Sequence, residues 1–537
     1  MKKKTMIRYW LAIILGVFIL PSPAMAATPQ SKGVLVGRVS HVEGDLLRYV
    51  PETDDWVAVV ADAPFGLDDA LYSAEDGKAE FILPNKTRIR IGGTTQIQLI
   101  TLNGDLTRVD VASGTARFFN NSDSVVMKIT TPLGDIVAYG GASFDIHVGE
   151  ESIEVVSLEG VVDFVIKEGE KYEVEAGSSI LSNGSTVAEG EGTVEMEWQA
   201  WNEKRDGFWA QKTQVKGDSV KYLPDGLKDE SYALDETGRW ERVQYRGETR
   251  ELWRPGNVDA EWEPFTSGRW ATYHGDSTWI PEDEPFGYVT HHYGNWVYLD
   301  GPRAWYWAPP VVVAAVARPA FGVPFSWYPG RVGWIHSGAR LGWFPLAPFE
   351  PYYAHRFWGP RTVVVRDVRR INIDINRFTN VRRAVIINRD DFFGARNFRN
   401  VRIRNINQTT IVRNFRAAPV LNNRVIPNFS NNRQRFRFAN TAVNRVPHRV
   451  VEDRIRRNRQ IARRTANLRG ATVERNVRKL RAGNVSRDVS IQRPRVSNRL
   501  VAREEARKAR RQVQFQQREL RRQAGQLDRV EERRQRA

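Results

Sequence analysis

Glu282, Asp283 and Glu284 set three carboxylates side by side, and a glycoside hydrolase needs two carboxyl groups held apart across a sugar. Pro281 and Pro285 bracket the trio, which reads as an exposed turn and not as a convergent acid and base. His291 and His292 invite a metal. Adjacent residues of a strand face opposite sides, however, and cannot grip one ion, so the nearby tyrosines point to ordinary packing. The serine nucleophile elbow, the phosphate loop and the His-Glu zinc helix do not occur. The sequence therefore predicts no catalytic residue, no metal and no cofactor. Its sharpest binding candidates are Trp305, Tyr306 and Trp307, whose rings could stack on the sugar faces of peptidoglycan or exopolysaccharide. In a strand, three consecutive rings point to alternate faces, so at least one is expected at the surface.

Those rings belong to a block from Tyr222 to Trp358 that holds most of the 17 tryptophans. A unit of glycine, one residue and tryptophan recurs at Gly238/Trp240, Gly268/Trp270 and Gly294/Trp296. It predicts a degenerate repeat in which a glycine turn delivers each indole onto a short strand. Without any cysteine, packing alone must hold the fold, and large rings can supply that core. Ahead of the block, Trp198, Trp201 and Trp209 can share one helical face in a linker over 191–218, a face expected to dock on one of the two domains.

Residues 33–190 read as short strands with period-two alternation. Ala79, Phe81 and Leu83 alternate with Lys78, Glu80 and Ile82, and Gly92-Gly93 and Asn103-Gly104 mark turns. The pattern predicts a β-sandwich or a β-solenoid-like roll. Trp56, Asp68-Asp69, Gly77 to Leu83, Thr131-Pro132-Leu133-Gly134, Gly140 to Ile146 and Leu158 to Val162 together resemble the FecR domain. That resemblance implies an envelope location and a signal relay, since in iron-transport regulators the domain passes a signal from an outer-membrane receptor, through a membrane helix, to a sigma factor. The plan differs here. A cleavable signal precedes the domain and no cytoplasmic regulatory segment is read, so a relay would need a membrane-connected partner. The block over 219–350 resembles a tryptophan-rich family of unknown function that follows FecR domains in exported bacterial proteins.

Charge divides the chain. Residues 361–537 carry about 47 Lys+Arg against about 14 Asp+Glu, a net of roughly +33, while the whole chain is +17, so about −16 falls on residues 1–360. Over 361–406 the sequence reads as a β-prone extension, with runs at Val363 to Val365, Ile371 to Ile375, Val385 to Ile387 and Val401 to Ile406; the portion through Asp391-Phe392-Phe393 resembles the segment that follows the tryptophan-rich block in that family and is expected to pack on the block. Over 407–496 it reads as Arg/Asn-rich and disordered, and over 497–537 as a basic helix in which Ala502, Ala506, Ala509, Val513, Leu520 and Leu527 could form a thin coiled-coil seam. At the other end, Lys2 to Lys4 and Arg8 precede an apolar run and then Ala24-Met25-Ala26, a secretory signal cut between Ala26 and Ala27. The expectation is a mainly β, exported protein, periplasmic or extracellular, with no transmembrane helix in the mature chain. It would bind envelope protein or polysaccharide as a scaffold and use its arginine tail to meet lipid head groups or acidic polysaccharide, cytoplasmic nucleic acid being out of reach. A FecR-type periplasmic relay is the alternative and a glycan-acting hydrolase the weaker one.

Overall fold

The computed structural model describes residues 34–149, 151–166, 169–214, 217–256, 258–259, 261–282, 284–310 and 326–439. The signal segment with Ala26 and Ala27, the apolar run 311–316 and everything from 440 onward lie outside the described residues. The mainly β class is as expected. Among the described residues, seventeen strands between Gly37 and Glu191 form one continuous hydrogen-bonded sheet that folds on itself as a roll.

The turning point of the roll is the 15-residue strand Leu106–Asn120. Its first half pairs antiparallel with Gln96–Leu102 and parallel with Val126–Thr130, while its second half pairs with Thr87–Ile91 and Ala142–Val148. The change of partners falls at Gly114, where φ is +94° and an added Cβ would lie 2.4 Å from Thr95 Cα. Only glycine combines that backbone sign with so close an approach, so one long strand can serve both layers. Alternation then sends Val109, Val111, Phe118, Ile89, Ile97 and Phe144 into a fully buried aliphatic core.

The predicted glycine-to-tryptophan repeat is a repeat of hairpins. In four of them a tryptophan on the first strand lies directly opposite one on the second: Trp240 and Trp253, Trp270 and Trp279, Trp296 and Trp307, Trp334 and Trp343. The glycine two residues ahead of the first indole makes room for the second. A Cβ on Gly238, Gly268 or Gly294 would come within 2.4, 2.7 and 2.8 Å of the rings of Trp253, Trp279 and Trp307. In the fourth hairpin Val332 takes that place, and Gly333 instead gives room to Phe344. Two of the connections, Arg246-Gly247 and His274-Gly275, have positive φ at both residues, the mirror-image turn that suits the strand twist.

The helix expected in the linker is present at Met196–Thr213, and Trp198, Trp201 and Trp209 are buried against the outer face of the roll. The region after 360 meets expectation in part: two of the four β-prone runs form the strands Thr362–Val364 and Val385–Asn388. Ile371 to Ile375 and Val401 to Ile406 are not strands; short 3-10 turns at Val368–Arg370 and Ile375–Arg377 and a helical turn at Phe398–Val401 lie there, capped by the side chains of Asp367, Asp374 and Asn397. Asparagine and aspartate favour such local bonds over a ladder. Residues 407–439, expected to be disordered, fold onto the body. Val385–Asn388 and Arg416–Ala418 extend the fourth hairpin to a four-stranded sheet, and Phe415, Leu421, Phe429 and Phe438 are buried. The charge density was outweighed by one phenylalanine or branched aliphatic every few residues, each placed on a prepared apolar surface. Phe436 reaches the roll itself, packing with Val50 and Val57.

Candidate functional site

Trp305, Tyr306 and Trp307 lie on the strand Ala304–Ala308, and the alternation predicted for them holds. The predicted surface ring does not. All three are buried, because Leu252, Val297 and Ala347 cover the face to which Tyr306 points and the main aromatic core covers the other. Tyr306 spends its hydroxyl on Glu241 at 2.6 Å. Among the 16 described tryptophans 15 are buried and Trp240 is half-buried against Tyr222, which leaves no open indole face for a sugar.

The carboxylate trio is split. Glu282 pairs at the surface with Arg396 at 3.0 Å, Asp283 lies outside the described residues, and Glu284 is not in an exposed turn but buried, accepting a hydrogen bond from Trp262 Nε1 at 2.6 Å. The histidines sit on the short helix Gly287–His292 and not on a strand. His291 Nδ1 donates to Gly287 O at 2.8 Å and its Nε2 accepts from Phe265 N–H at 3.1 Å, which fixes the neutral tautomer and uses the lone pair that a metal would need. Burial pushes His291 down to about 3 and His292 down to about 4, so both rings are neutral at ordinary pH. They act as structural pins.

Two polar arrangements replace these candidates. The first runs across the outer face of the roll, where Glu80, Arg90, Arg117 and Asp145 are successive register partners on four neighbouring strands. The helix Met196–Thr213 roofs this row. Arg90 Nε reaches Glu80 Oε2 at 2.7 Å, Arg205 and Trp209 of the helix both donate to Glu80 Oε1 at 2.8 Å, and Arg117 grips Asp145 through two bonds of 2.7 Å. Burial alone would raise the Glu80 carboxyl, but the Arg90 and Arg205 charges hold it down at about 2. The same logic fixes the seam between the roll and the tryptophan hairpins. Tyr273 donates to Asp69 at 2.7 Å under the Arg48 guanidinium, Arg38 bridges Asp62 and Glu230, and Trp327 N–H donates to Val34 O at 3.1 Å. A single apolar cluster continues from Leu35 through the hairpins to Phe438, so the two units share one core.

The second arrangement is an open cleft of about 640 Å³ between the 254–263 segment, the tip of the third hairpin and the chain from 382 to 411. Seven arginines and three carboxylates line it over a floor that includes Val258, Trp305, Ile386 and Ile403. Trp305 is thus near the opening but edge-on against Tyr298, whose own face is covered by Arg383 at 3.2 Å. Period-two reading on the outward face could have flagged the charge row. The cleft left no such signal, since its seven arginines are divided between the tryptophan-rich block and the 361–406 stretch read as a β-prone extension, with no common spacing. Among the described residues, no cluster of three metal-ligating side chains occurs and no helix is long and apolar enough to cross a membrane.

Comparison with known proteins places this architecture. Residues 69–163 match the FecR protein family, and residues 231–350 match a family of unknown function, DUF6600. The chain carries a FecR domain followed by a DUF6600 domain, as the resemblances implied. Two crystal structures of an anti-sigma factor candidate from Parabacteroides distasonis ATCC 8503, at 1.65 and 2.50 Å resolution, are similar at 17% and 18% identity with a TM-score of 0.22. The match covers 25% of this chain and 63% of theirs, a likeness too slight to carry a role. No curated protein matches the chain.

Proposed function

We propose that this FecR–DUF6600 chain is a non-catalytic, exported envelope protein that takes part in signal relay, its FecR domain receiving a partner protein and its DUF6600 half serving as a rigid extension of that domain. The FecR match at 69–163 carries the reading, because the FecR resemblance implies relay through protein contacts and no chemistry. The continuous core across the seam supports it, since a contact made on the roll is then mechanically coupled to the hairpins. Pure scaffolding explains the packing equally well but leaves the FecR domain without a part.

Tyr139, 55% exposed at the end of the strand Asp135–Ala138, offers a place to look for the partner. A photo-crosslinking residue there, in the full chain expressed in its exporting cell, should capture a membrane-spanning protein, and deletion of the gene should alter transcription of a discrete set of envelope genes. Crosslinks to polysaccharide alone, with transcription unchanged, would reject the relay in favour of scaffolding.

A further inference from the structure

The arginine-lined cleft contains more positive charge than the protein itself neutralises. Its three carboxylates are each taken: Asp259 by Arg399, Glu261 by Arg404 at 2.8 Å, and Glu263 by Arg402 at 2.9 Å. Two more arginines turn to acids outside the cleft, Arg254 to Glu241 at 3.7 Å and Arg383 to Asp300 at 2.8 Å. Arg303 and Arg382 remain exposed on the lining with no ion-pair partner among the described residues. Arg303 is also held at φ +50°, a backbone conformation uncommon for a residue with a side chain. Guanidinium groups gathered at one opening repel one another, and a bound anion relieves that repulsion while satisfying their planar forks.

The floor narrows the class of anion. Beneath the arginines lie branched aliphatic side chains, Val258, Ile386, Ile403, Ile406 and Ile411, which would accept an apolar anchor. Sugar recognition by stacking needs an open ring face, and the rings here offer none: Arg383 lies on Tyr298, and Trp262 is packed against Phe286 and Trp296. Carboxylates alternating with aliphatic side chains match both the rim and the floor. We propose that this cleft binds an acidic, aliphatic-containing peptide segment of a partner protein, with Arg303 and Arg382 as its first carboxylate contacts. The cleft is built from residues 254–411 and includes none of 69–163, so the inference stands apart from the relay reading.

A benzophenone-bearing dodecapeptide of alternating Glu and Leu, irradiated with the full mature chain and mapped by peptide mass spectrometry, tests it. Attachment should fall within 254–263, 298–305 or 382–411, and unlabelled peptide should compete while its Glu-to-Gln counterpart should not. Loss of two charge-assisted contacts in R303E/R382E should weaken cleft labelling about ten-fold or more, whereas R340E, an exposed arginine away from the lining, should leave it unchanged. An unchanged circular dichroism spectrum would separate lost binding from lost fold. Labelling confined to the arginine-rich residues beyond 440, equal labelling of R303E/R382E, or displacement by a uronic-acid oligosaccharide at lower concentration than by the peptide would each overturn the assignment.

Discussion

The FecR roll and the tryptophan hairpins are joined through one core, yet they solve the same packing problem with opposite materials. The roll buries Val, Ile, Leu and Phe between its layers and hides charge on its outside under a helix, where Glu80 and Arg90 are both wholly buried. The hairpins oppose indoles in pairs, and in three of the four a glycine leaves the space that the second ring fills. Aliphatic layers need length and register; the roll has a 15-residue strand to provide both. Hairpins of five to eight residues per strand cannot cover much area, so each must carry a ring that buries far more surface than Val or Leu. The difference predicts different weak points. The roll should fail where a charge loses its partner, the hairpins where a ring or its glycine is changed.

Trp279→Ala should be the most damaging change, since the wholly buried ring touches Trp270, Phe265 and Phe398; a loss of about 3–5 kcal/mol is expected in denaturant unfolding. A loss below that range would mean that the hairpins are more plastic than the roll. Glu80→Ala comes next, because it strands the Arg90 and Arg205 guanidiniums under the helix, at a cost of about 3–4 kcal/mol. This contribution has a pH signature. The folded carboxyl sits at about 2 against an ordinary 4.5, so the stabilisation is complete above about pH 4.5 and fades as pH falls towards 2. Thermal melts of wild type and Glu80→Gln should therefore converge in acid, and parallel curves would deny the role of the charge.

Gly268→Ala should cost about 2–3 kcal/mol, since the new Cβ would meet Ile280 O at 2.3 Å and the Trp279 ring at 2.7 Å. The same substitution at Gly247, whose Cβ would meet nothing, should lose less, and its positive φ alone would set the cost. The smallest effect has the opposite sign. Burial raises the Glu154 carboxyl to about 7, so the native roll favours its protonated form and loses stability as pH climbs from about 4.5 through 7. Glu154→Gln should leave the melting temperature unchanged near pH 4 and raise it at pH 8. A lower melting temperature at pH 8 would show that this carboxylate is paired when ionised.

Sequence alone determined the parts that depend on local spacing. Period-two alternation from Ala79 to Leu83 marked a strand with one face inward, the intervals between Trp198, Trp201 and Trp209 marked a helix face, and glycine two residues ahead of tryptophan marked three of the four hairpin starts. The FecR and DUF6600 motifs were legible for the same reason, as turns and strands in order. Tertiary structure decided everything that depended on what covers a face. Trp305 to Trp307 alternate as any strand must, but only the arrival of Leu252, Val297 and Ala347 on the second face hides Tyr306. Arg382, Arg399, Arg402 and Arg404 stood in a stretch read only as β-prone, and it took the folding of that segment beside the third hairpin to make them the walls of a cleft. Periodicity reports which way a side chain points relative to its own backbone; burial and charge neutralisation are set by segments far away in the chain, and their arrival is written in no local pattern.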